Sequence, residues 1–185
     1  MNRAVLTLLF FTQVITFSLL AQTPQAPQDP NGYNKFYYDN GKLSSEGPMR
    51  DGKPDGYWKT YYQNGKLKSE GNRKDFELDS TWKFYNEQGK LAFEYTYRAG
   101  KKTGPLKTFD EKGNIVTEET FVNNMKQGDT KNFYSSGKLQ KTTPFVEGKE
   151  QGFGYEYDTS GTIITITEYK AGFVKNTERL NRRDA

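Results

Sequence analysis

The chain has 185 residues, of which 33% are hydrophobic and 15% aromatic, and its net charge is +4 from 27 Lys+Arg against 23 Asp+Glu. Cysteine and histidine are both absent, which excludes a disulfide framework, a Cys/His metal site, a cysteine nucleophile, a histidine base and a lipid-modified N-terminal cysteine. Charges of both signs are interspersed without the basic stripe of a nucleic-acid binder, and aliphatic residues are too few for a thick core, so burial should be shallow and spread along the chain.

From the N-terminus, Arg3 precedes an apolar run from Ala4 to Leu20, then the small residue Ala21 and a stretch rich in Pro and Gln. That order of charge, apolar segment, small residue and polar linker predicts a helical signal peptide over 1–21, cleaved after Ala21. Retention as an anchor is the alternative, although the segment is short for a ~30 Å hydrocarbon core. Residues 22–34 form an extended linker, residues 35–176 a folded domain, and residues 177–185 a polar C-terminal tail. The protein is therefore expected to be exported, whether periplasmic, outer-surface or secreted, and not a lipoprotein.

The folded domain is a repeat. Gly41, Gly65, Gly89, Gly113, Gly137 and Gly161 recur every 24 residues without a slip, and a fixed period of this size marks a repeat architecture. Four residues before each glycine stands an aromatic: Tyr37, Tyr61, Tyr85, Phe109, Phe133 and Tyr157. Two residues after it stands Leu43, Leu67, Leu91, Ile115, Leu139 or Ile163. Asn40-Gly41 and Asn64-Gly65 lie between runs rich in aromatics, and Asn-Gly there signals a β-hairpin. Second glycine-rich segments, as in Asp51-Gly52-Lys53-Pro54-Asp55-Gly56, turn the chain into the next hairpin; Phe76 and Asn124 interrupt that pattern.

Two strands in each of six units predict an all-β fold, an antiparallel meander of about twelve strands in a single-layer twisted open sheet or trough. Two registers compete. A three-residue loop ending in the repeat glycine, the preferred reading, sets each constant aromatic opposite its Leu or Ile. A two-residue loop instead pairs Lys35 with Glu46, Lys59 with Glu70, Lys83 with Glu94 and Lys107 with Glu118.

No catalytic, cofactor or metal residues are assigned. Glu46, Glu70, Glu94 and Glu118 recur too regularly for a unique acid/base site, and equivalent strands lie about 9.6 Å apart at a ~4.8 Å spacing. If strands alternate, Tyr38, Trp58, Tyr62, Trp82 and Tyr134 fall on the face opposite the constant aromatics. They are the candidate partner-binding residues, for stacking on sugars or anchoring a protein; the competing reading makes them core.

The units GYWKTYYQNGKLKSEGNRKD and DSTWKFYNEQGKLAFEYTYRAGKKTG resemble the MORN-repeat variant family (membrane occupation and recognition nexus), whose bacterial members are commonly labelled YwqK-like antitoxin-family proteins. The resemblance runs from about Tyr33 to Lys175. It implies a non-catalytic binding or scaffolding role, here an interaction module for another protein of the cell envelope. Binding of anionic lipid through the periodic lysines, of glycan through exposed aromatics, or of a target protein in the manner of an antitoxin are the alternatives. No cofactor and no nucleic acid is expected, and an export signal sits awkwardly with antitoxins, which usually act in the cytoplasm.

Overall fold

The computed structural model describes residues 28–180; the expected signal peptide, residues 22–27 of the linker and the last five residues of the tail lie outside them. No helix occurs among the described residues, and none there is long and apolar enough to cross a membrane. The strands are β1 (Tyr33–Tyr37), β2 (Leu43–Arg50), β3 (Lys53–Pro54), β4 (Gly56–Tyr61) and β5 (Leu67–Lys74). Then come β6 (Glu77–Tyr85), β7 (Leu91–Arg98), β8 (Lys101–Phe109), β9 (Ile115–Val122), β10 (Met125–Lys126) and β11 (Gly128–Phe133). The last are β12 (Leu139–Val146), β13 (Lys149–Glu150), β14 (Gly152–Tyr157), β15 (Ile163–Lys170) and β16 (Phe173–Arg179).

Thirteen of these form one antiparallel path in the order β1-β2-β4-β5-β6-β7-β8-β9-β11-β12-β14-β15-β16, an open sheet that does not close into a barrel. The two-residue strands β3, β10 and β13 are the detached first legs of β4, β11 and β14. The chain leaves the ladder there at Asp55, Gln127 and Gln151, whose N–H groups donate to the carbonyls of Pro48, Thr120 and Pro144. Pairing begins at Tyr33, two residues before the expected domain boundary. It also continues through Arg179, three residues into the segment expected to be a tail, where the last strand pairs with β15.

Both candidate registers are present in every hairpin that carries them. Tyr37 faces Leu43 and Lys35 faces Glu46, because the return strand holds one extra residue, Ser44, between the two pairings. The same bulge recurs in the other five hairpins, at Lys68, Ala92, Val116, Gln140 and Ile164. A bulge of this kind goes with a three-residue loop: the Gly41 N–H donates to the Tyr38 carbonyl, and Gly41 takes a left-handed φ of 78°. The preferred loop length is therefore observed, and the bulge restores the Lys/Glu pairing beyond it.

Consecutive hairpins are joined by two-residue turns in which both residues have positive φ, such as Asp51-Gly52 and Ala99-Gly100. Most of these turns also bond to the start of the strand that follows the preceding turn. Gly100 N–H donates to Leu78 O, Asn124 to Lys102 O, Gly148 to Lys126 O and Gly172 to Glu150 O. Phe76 occupies the equivalent position at φ 70° but makes no such bond among the described residues. At that joint Arg50 spans the gap instead, with its guanidinium 2.8 Å from both Asp55 and Asp75 and 4.8 Å above the Phe76 ring.

Burial is shallow, as the composition requires. No described side chain is fully buried, and the apolar core amounts to Met49, Trp58, Trp82, Leu106 and Tyr169.

Candidate functional site

The sheet presents two faces of different character, and the sequence-predicted residues divide between them. Trp58 and Trp82 lie on the face opposite the constant aromatics, as alternation predicts. They are not available to a partner, being only 6% and 4% exposed. Each indole lies flat over a glycine of the preceding hairpin: a Cβ on Gly47 would stand 2.6 Å from the Trp58 ring, and one on Gly71 closer still to Trp82. The indole N–H groups donate to the backbone at Pro48 O (2.7 Å) and Asn72 O (2.8 Å). Glycine is required at 47 and 71 because the ring occupies the space of a side chain. Phe36 tilts against Trp58 at 5.9 Å, and Phe84, Phe93, Tyr95 and Tyr97 continue the aromatic row beyond Trp82.

The three candidate tyrosines are also structural. The hydroxyls of Tyr38, Tyr62 and Tyr134 donate to the carbonyls of Tyr61, Tyr85 and Tyr157, each in the next hairpin, at 2.5–2.7 Å. All five candidates therefore join one unit to its neighbour, because a single-layer sheet buries its large rings only by laying them across adjacent strands.

The other face carries the constant aromatics and the paired charges. Tyr61 donates to Glu46 at 2.6 Å and Tyr85 to Glu70 at 2.7 Å, so each phenol reaches the carboxylate of the unit before it. Partial burial, reinforced by these carboxylates, raises both phenols well above the ordinary tyrosine value. The Tyr61 hydrogen bond holds the Glu46 carboxyl below the usual range, with further help from Tyr33 and from the Lys35 and Lys59 ammonium groups. Lys35 and Lys107 stand 3.7 and 3.9 Å from Glu46 and Glu118.

Other lysines are committed to the turns. Lys66, Lys90 and Lys138, each directly after a repeat glycine, donate to Gln88 O, Glu111 O and Thr159 O of the next hairpin. What this face leaves uncovered is aromatic. Tyr33, Tyr37 and Tyr57 are 60%, 50% and 51% exposed and share one side of the first two hairpins. Sequence reasoning passed over Tyr33 and Tyr57, yet they stand eight residues before a repeat glycine, on the same alternation as Tyr37 and Tyr61.

A family model described as MORN repeat variant matches residues 30–51, 54–75, 78–99, 102–123 and 126–147. The sixth hairpin, around Gly161, lies beyond the matched segments and keeps the same register and turn geometry. No curated protein matches the chain. Among solved structures, a porin-like protein from Bacteroides uniformis is similar at 11% identity with a TM-score of 0.25, over 78% of this chain and 87% of that one.

Proposed function

This chain belongs to the MORN repeat variant family, and from that premise we propose that it is a non-catalytic, exported scaffold that binds another protein of the cell envelope. The observation that carries the reading is the uncovered tyrosine surface of the first two hairpins, Tyr33, Tyr37 and Tyr57. Tyrosine supplies large, rigid area with a polar tip, the side chain most suited to a protein contact made and broken in water. The signal-like segment before Ala21 supports export.

The lipid alternative is weaker because many recurring lysines face a glutamate or a turn carbonyl within the sheet. The antitoxin alternative needs a cytoplasmic target, which export would remove. Affinity capture from an envelope fraction tests the reading directly. The double variant Tyr33→Ala/Tyr57→Ala should lose its partner at unchanged thermal midpoint. Full retention of the partner would sink the assignment of this surface. Sedimentation with anionic vesicles that survives physiological salt would favour the lipid instead.

A further inference from the structure

The constant aromatic changes from Tyr to Phe in the fourth and fifth hairpins, and beside the fifth the sheet face carries a hollow. Tyr61 and Tyr85 place a hydroxyl on the glutamate of the preceding unit. Phe133 occupies the equivalent position before Glu118 and has no hydroxyl to offer. Beside them lies a shallow, open hollow of about 470 Å³. Its lining combines the apolar side chains of Phe133, Ile115 and Leu139 with the charged Glu118 and Lys131. These two charged residues face each other across β9 and β11. Glu118 is about one-third exposed, and its ion-pair contact is the long 3.9 Å approach of Lys107.

The chemistry of this charged pair selects among occupants. A carboxylate only accepts hydrogen bonds and an ammonium only donates them. A ring bearing several hydroxyls, each able to do both, satisfies the two at once while its C–H face rests on an aromatic ring. A phenol from a partner has one hydroxyl, so it could meet both charges only through that single oxygen. We propose that this hollow is a carbohydrate subsite: a neutral pyranose lies over Phe133, donates one hydroxyl to Glu118 and accepts at another from Lys131. The site is separate from the tyrosine surface of the first two hairpins and stands or falls without it.

Amide chemical-shift mapping of the whole chain against malto-, cello-, xylo- and N-acetylchito-hexaose tests the proposal. At least one sugar should move the signals of Ile115, Glu118, Lys131, Phe133 and Leu139 together. Phe133→Tyr supplies the missing hydroxyl from within and should raise the thermal midpoint. The same variant should weaken the sugar about tenfold or more, as losing a hydrogen bond to a charged group does. Absence of shifts with all the sugars, shifts centred elsewhere, or unchanged affinity in Phe133→Tyr overturns the proposal. So does binding of N-acetyltyrosinamide in their place, which would reassign the hollow to a protein side chain.

Discussion

Tyr61 and Glu46 show how a half-buried pair ties one repeat to the next. Removing the hydroxyl in Tyr61→Phe leaves the carboxylate without its 2.6 Å donor, and should cost about 1.5 kcal/mol in urea unfolding. The pH dependence follows from the two shifts. Glu46 is lowered in the folded state, so its contribution is present above the ordinary carboxylate value and is lost as pH falls through the lowered one. Tyr61 and Tyr85 are raised, so theirs is present below the ordinary phenol value and is lost as pH climbs past it. Stability from these pairs should be level between roughly pH 5 and pH 10, and Tyr61→Phe/Tyr85→Phe should flatten the alkaline limb of the urea midpoint. Trp82 makes the opposite kind of contact, with no room to spare. Gly71→Ala drives a methyl into the indole and should destabilise by about 3 kcal/mol. Combined with Trp82→Ala, the cost should fall short of the sum of the two single changes by at least ~1 kcal/mol. This contact was legible in outline, since Gly47 precedes Trp58 and Gly71 precedes Trp82 by the same eleven residues. Reading it required knowing that adjacent hairpins, and not only adjacent strands, share a face.

At the scale of the hairpin, the turn glycines announced themselves because a left-handed φ is costly for any other residue. All six repeat glycines adopt it. The competition between registers was not decidable from side chains. The inserted residue is Ser44, Lys68, Ala92, Val116, Gln140 or Ile164, a set with no shared chemistry, so nothing in the composition marks the bulge. The connecting turns were harder still. Phe76 and Asn124 looked like breaks, yet both keep the geometry of the glycines they replace, because the pairing of the flanking strands overrides local preference. Alanines at the first turn position bear that cost openly: Ala99 and Ala171 have φ of 46° and 54° on an exposed surface. Ala99→Gly and Ala171→Gly should each stabilise by about 0.5–1 kcal/mol, read as a higher urea midpoint at unchanged slope.

For the molecule as a whole, each hairpin meets only its neighbours, so stability should behave as a sum over units and joints. Excising residues 101–124 and joining Gly100 to Met125 removes one period in register. The shortened sheet should fold and show an m-value lower by roughly one-sixth, in proportion to the surface lost. A deletion of twelve residues, which reverses strand direction at the junction, should not fold. The architecture was readable because the repeat states the same instruction six times, whereas departures from it, such as the Phe at 109 and 133, carry no repetition by which to read them. One departure also sets a mechanical character. Four of the turn-to-turn joints from the third hairpin onward are fastened by amide hydrogen bonds that dissolved ions barely affect, while the joint at Phe76 is fastened by an exposed guanidinium. Concentrated brine should therefore loosen the array at one place, between the Asp51-Gly52 and Asp75-Phe76 turns that flank the second hairpin, and a protease added under those conditions should cut there first.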